Sequence, residues 1–284
     1  MLKKIFFAAA LLLASELIAK PVVIASIAPV EYLAKAVGGD KIEVQSLAKG
    51  DVHSYEPKPN DMKAVAKARI FIAAGLEFEE AWIPRFKASA KNLVVVKSDA
   101  KIAKLKEERG EQVEHDEKHE AHADPHVWLN PMLAITMARN ISDALIDMDK
   151  ANKDFYLENF QKLMNDLLAF DESAKNELAG LKNRKFVVYH PAWGYFAAHY
   201  DLEQISIERS GKEPKIDEMA STLKMIKDEN IKVIFADPNR SQKSAQILAS
   251  QTGAKVELLD PLGYNLLENL KIAVGAIKDA NSPK

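Results

Sequence analysis

The sequence contains no cysteine among its 284 residues. This absence excludes disulfide bonds, zinc sites built from thiolates and cysteine nucleophiles. It also excludes a lipid attached to an N-terminal cysteine. A transition-metal site in this chain would have to use histidine and carboxylate ligands.

The chain also lacks a charge excess of either sign. It carries 39 lysine and arginine residues against 41 aspartate and glutamate residues, for a formal net charge of -2. This balance gives no electrostatic attraction to nucleic acid or to an anionic membrane surface. We therefore expect no nucleic acid among its partners. Because no apolar stretch is long enough to span a bilayer, we also expect no direct membrane insertion.

Apolar runs long enough to cross a bilayer, which takes ~20 residues, are missing as well. The run over residues 5–13 follows Lys3 and Lys4 and precedes the small residue Ala19. This order predicts a cleaved signal peptide over residues 1–19 and a mature chain that starts near Lys20, exported to a periplasm without an anchor. The alternative is an N-terminal core helix.

Common catalytic motifs are absent. The sequence has no His-Glu-x-x-His motif, no serine nucleophile elbow and no glycine-rich phosphate-binding loop. We therefore predict that the protein is not an enzyme, and a zinc-dependent hydrolase is a less favoured reading.

Short β-branched runs alternate with helical patterns twice along the chain, over residues 20–147 and again over 182–284. This alternation predicts an α/β fold with two lobes, each a small, mostly parallel sheet flanked by helices. Residues 148–181 lack proline and, until Gly180, glycine, which predicts one long connecting helix. Residues 104–124 are charged and poor in apolar side chains, which favours a mobile loop.

Four potential metal ligands stand next to or near a proline: His53, His126, His190 and Asp260. Three of them follow a predicted strand, and ligands of parallel α/β folds bind at the carboxyl ends of strands. A single histidine at such a position is more often a hydrogen-bonded structural residue. The joint pattern instead favours a polar cleft between the two lobes.

The stretches 51–57, 124–131 and 190–196 together resemble those of the metal-binding proteins of ABC importers for zinc and manganese. These are the cluster A-I solute-binding proteins, and the resemblance is strongest to their ZnuA-like zinc branch. It implies two α/β lobes joined by a long helix, with one metal ion between them. It further implies that His53, His126 and His190 are ligands and that Asp260 is the fourth, while Asp237 or water remain alternatives.

This resemblance implies a monomer that captures Zn²⁺ and delivers it to the membrane permease of an ABC importer. Three imidazoles and one carboxylate suit zinc, whereas manganese, the alternative cargo, favours harder ligands. Zinc affinity is expected to fall below pH ~6, where free imidazoles become protonated. Two less favoured hypotheses are an adhesin and a binding protein for an organic ligand.

Three further histidines, at positions 115, 119 and 122, lie at helical spacing among acidic residues. We interpret His115, His119 and His122 as a weak accessory zinc-collecting group. The alternative is a solvated acidic linker in which histidine is incidental. His199, which lies in a predicted helix, is interpreted as structural.

Overall fold

The structure is a computed structural model that describes residues 20–106, 123–208 and 216–281. The predicted signal peptide and the three histidines of the predicted accessory group lie outside these residues. No helix in the described ranges combines the length and the apolar character needed to cross a membrane.

The first lobe is built on a parallel four-stranded sheet with the strand order β2-β1-β3-β4. Its strands are β1 (Val22–Ala25), β2 (Glu43–Ser46), β3 (Ile70–Ala73) and β4 (Val94–Lys97). The helices between them are α1 (Ala28–Gly38), α2 (Pro59–Val65) and α3 (Glu77–Ser89). All four residues of β3 are buried, as expected for a central strand with helices on both faces.

Two helices follow the first sheet. The first, α4 (Pro131–Met148), was not predicted from the sequence. The second, α5 (Lys153–Leu178), is the long connecting helix. A 3₁₀ turn over Lys150–Asn152 separates the two.

The predicted long helix is confirmed, but it begins later and ends earlier than the 148–181 expected. Asp149 leaves the helical conformation, with φ of -138° and ψ of 75°. Its carboxylate accepts bonds from the Asn152 amide at 2.7 Å and from the Tyr156 hydroxyl at 2.9 Å. Aspartate competes in this way for local donors, which favours a break at a helix boundary.

The second lobe repeats the plan, with a parallel four-stranded sheet in the order β6-β5-β7-β8. Its strands are β5 (Lys185–Val188), β6 (Glu203–Ser206), β7 (Val233–Ala236) and β8 (Lys255–Leu258). Its helices are α6 (Gly194–His199), α7 (Ile216–Asp228), α8 (Lys243–Thr252) and α9 (Leu266–Asn281). The fold class predicted from the sequence is thus confirmed.

The larger of two apolar clusters in the described ranges passes through both lobes, while a smaller one around Ile234 and Leu248 lies within the second lobe. The larger cluster joins buried residues of α1, such as Leu33, to Phe160 of α5 and Leu270 of α9. The last helix, which the sequence did not predict, packs against α5 and α1. The C-terminal segment therefore contributes to the interior shared by the two lobes, and the predicted domain boundaries at 147 and 182 stay predictions.

Candidate metal centre

His53 lies in the loop that follows β2. Local bonds shape this loop, because Asp51 Oδ1 accepts the backbone N–H of His53 at 3.1 Å and Asp51 Oδ2 accepts the Ser54 hydroxyl at 3.3 Å. Gly50, with φ of +81°, supplies the left-handed conformation that starts the turn. The turn leaves His53 exposed at the edge of the cleft.

His126 stands just before α4 and is held by one carboxylate. Asp124 Oδ1 lies 2.9 Å from the backbone nitrogen of His126 and 2.7 Å from its Nδ1. Both residues are buried, with 6% of Asp124 and 4% of His126 exposed. The carboxylate can only accept, so Nδ1 carries the proton and Nε2 keeps a lone pair for a metal.

His190 reaches the cleft from the carboxyl end of β5, and polar side chains from neighbouring strands surround it. Glu208, two residues beyond β6, places Oε2 3.1 Å from Nδ1 of His190. Arg240, in the turn after β7, places Nη1 2.8 Å from the same nitrogen. Neither residue was predicted from the sequence, although Glu208 follows the end of a strand in the same way as His190.

The three histidines converge. The side chains of His53, His126 and His190 offer nitrogen atoms that all lie within 4.8 Å of one another. The Nε2 atoms of His53 and His190 are 3.2 Å apart. Two nitrogens bound to one tetrahedral zinc at ~2.0–2.1 Å would be separated by about 3.3 Å. The side chains of His53 and His190 thus already have nearly the spacing that a shared zinc ion requires.

Asp260 lies two residues beyond the carboxyl end of β8. Within the described ranges, the group of potential ligands comprises the three histidines and does not include Asp260 or Asp237. Asp260 Oδ1 instead accepts the backbone N–H of Leu262 at 2.8 Å and the Asn239 amide at 2.9 Å. Its assignment as fourth ligand therefore stays a prediction that requires its carboxylate to move.

The cleft favours neutral imidazoles. Desolvation, followed by repulsion from His126 and Arg240, lowers the pKa of His53 to about 4. The same causes, with burial again the largest, place the pKa of His190 well below its ordinary value. Both rings are therefore neutral at neutral pH, and an imidazole must be neutral to bind a metal.

The remaining predicted histidine, His199, lies away from this group. Its Nε2 is 2.6 Å from Asp171 Oδ1, a carboxylate of α5 that is also paired with Lys175 at 2.7 Å. The bond ties the end of α6 to the connecting helix. It supports the structural role expected for His199.

The comparisons with known proteins cover the same two lobes. A family model described as ZnuA, the periplasmic component A of a zinc-uptake complex, matches residues 23–280. The high-affinity zinc uptake system protein ZnuA of Bacillus subtilis (strain 168) is 30% identical over 279 residues, which cover 91% of this chain and 86% of the relative. A crystal structure of ZnuA is 35% identical, with a TM-score of 0.87 over 93% of this chain and 100% of that one. A zinc-bound deletion mutant of ZnuA is 34% identical, with a TM-score of 0.85 over 93% and 99% of the two chains.

Proposed function

Since the chain belongs to the ZnuA family of periplasmic zinc-uptake components, we propose that it captures Zn²⁺ between its lobes and delivers it to the permease of an ABC importer. The observation that carries this proposal is the convergence of His53, His126 and His190 from both lobes. Three neutral imidazoles around one point are a ligand set typical of zinc.

The same ligand set supports zinc over manganese. Imidazole nitrogen is a softer ligand than carboxylate oxygen, and manganese sites are richer in oxygen. Manganese binding is therefore expected to be weaker at this cleft. The family consists of metal-binding transport proteins, and accordingly we propose no catalytic step for this chain.

The proposal includes a fourth ligand and a route of export. Asp260 completes a tetrahedral site once its carboxylate turns toward the histidines. Residues 1–19 act as a cleaved signal peptide, and the mature chain works as a monomer in the periplasm without binding nucleic acid. The group of His115, His119 and His122 collects zinc weakly for the central site.

Metal analysis of the purified mature chain tests the central claim. We expect one tightly held zinc per chain after dialysis and little manganese when both ions are offered. His126→Ala should lose this zinc, because it removes the buried ligand that Asp124 orients. His199→Gln is the matched control, since His199 contacts Asp171 and lies outside the group of three. Wild-type protein that retains no zinc would refute the proposed function.

A further inference from the structure

Two side chains of opposite character compete for one ring atom of His190. Its Nδ1 lies 2.8 Å from Nη1 of Arg240 and 3.1 Å from Oε2 of Glu208. A guanidinium can only donate a hydrogen bond and a carboxylate can only accept one. Nδ1 can therefore offer its lone pair to Arg240 or its N–H to Glu208, but it cannot do both.

The hydrogen bond that Nδ1 makes determines whether Nε2 carries the proton. A neutral imidazole carries a single N–H. When Nδ1 accepts from Arg240, the proton stands on Nε2, which then donates to Nε2 of His53 at 3.2 Å. That form of His190 has no Nε2 lone pair for a metal. When Nδ1 donates to Glu208, the Nε2 lone pair becomes available.

His126 presents no such conflict. Its Nδ1 faces the Asp124 carboxylate, which fixes the metal-binding tautomer before any ion arrives. The first lobe therefore offers a ligand that is already set, whereas the second lobe offers one that must change its hydrogen bond. The difference between the two lobes lies in Arg240.

Arg240 stays beside the site because Glu208 holds it. Its Nη2 lies 2.8 Å from Glu208 Oε1, and the two side chains are only 18% and 3% exposed. A guanidinium in this position also opposes the approach of a cation, and the low exposure limits screening by water. Both effects act against zinc binding.

We propose that Arg240 is a positioning residue that lowers the zinc affinity of the site and speeds zinc release by holding His190 in its non-coordinating tautomer. Zinc binding shifts the His190 bond from Arg240 to Glu208, as the proton leaves Nε2 and one returns to Nδ1 from solvent, so the ring stays neutral throughout. This inference rests on the proposed function, since it takes zinc to bind Nε2 of His190.

Substitution of Arg240 tests the inference by its effect on zinc exchange. Arg240→Met keeps an unbranched side chain but has no charge and cannot donate a hydrogen bond. We expect zinc to bind about 10-fold more tightly and to dissociate correspondingly more slowly, within the range of outer-shell effects. Arg240→Lys keeps a positive donor and should remain near the wild type. Chelator competition gives the affinity, and stopped-flow transfer to a chelator gives the dissociation rate. Unchanged or weaker binding by a folded Arg240→Met variant would overturn the inference.

A second measurement on the wild-type chain covers the case in which Arg240→Met does not fold. Side-chain ¹⁵N NMR, assigned with His190→Ala, reports which ring nitrogen carries the proton. We expect the Nε2–H form of His190 without zinc and the Nδ1–H form with zinc. An Nδ1–H form in the metal-free chain would contradict the role of Arg240. Failure of the wild type to bind zinc at all would instead refute the proposed function.

Discussion

Asn239 holds two carboxylates with a single amide group. Its Nδ2 lies 2.9 Å from Asp260 Oδ1 and 3.1 Å from Asp237 Oδ1. Burial and the nearby charge of Asp260 raise the pKa of Asp237. The amide therefore bridges two acidic groups that would otherwise repel each other, and it holds Asp260 Oδ1 in its present position.

This arrangement gives a prediction for the fourth ligand. Asp260→Asn should weaken zinc binding at least about 10-fold, because it removes the charge that would complete the site, whereas Asp237→Asn should have a smaller effect. Isothermal titration with a competing chelator measures both. Equal affinities for Asp260→Asn and wild type would indicate water as the fourth ligand.

Orientation of His126 by Asp124 gives a second prediction. Asp124→Asn leaves an amide where the carboxylate stabilised Nδ1–H, and we expect zinc affinity to fall about 10- to 100-fold. The matched control is Asp51→Asn, because Asp51 bonds the backbone of His53 rather than its ring. If both variants lose affinity equally, the effect would come from charge near the cleft and not from orientation of the ring.

The lowered histidine pKa values give a third prediction. An imidazole with the ordinary pKa of about 6.5 would weaken zinc binding about 30-fold between pH 7.5 and 5.0. His53, with a pKa of about 4, and His190, with a pKa well below 6.5, should each contribute almost nothing to that loss. The lowered pKa values of these two rings therefore predict a smaller loss of zinc affinity at pH 5.0 than two ordinary imidazoles would give. A combined loss near a thousandfold at pH 5.0 would show that both rings titrate normally.

The lowered pKa of His53 also makes the stability of the metal-free protein depend on pH. Between the folded pKa of about 4 and the unfolded value near 6.5, the unfolded chain binds more protons at His53. The contribution of this ring to stability is therefore complete above pH 6.5 and decreases as the pH falls through that window. Urea midpoints of the metal-free chain at pH 7.0 and 5.0 measure the change, and His53→Ala should reduce it.

Trp128 gives a prediction for contact between the lobes. Its Nε1–H donates to the carbonyl of Pro261 at 2.8 Å, and the side chain is fully buried. Trp128→Phe leaves that buried carbonyl without its donor, so we expect the free energy of unfolding to fall by about 1–3 kcal/mol. Trp82→Phe is the control, since Trp82 is only partly buried and packs on Phe86 within one lobe. If both variants had the same free energy of unfolding, the Trp128–Pro261 bond would contribute nothing specific to stability.

Local rules predicted the strands and most helices because the signals were local. The alternation of strands and helices in both lobes was predicted in this way. The helix α4 could have been found too, since Asn130 caps it and Pro131 is its first residue. Arg240 could not have been found in this way. It lies 50 residues from His190, and nothing near it in the sequence indicates that the parallel order of β5 and β7 brings the two together.

The apolar core described above also determines how the molecule can be divided. Side chains of α9 and α1 belong to the same buried apolar cluster. Each half would therefore expose a large apolar surface if it were produced alone. We therefore expect neither half to fold independently, despite the repeated order of strands and helices.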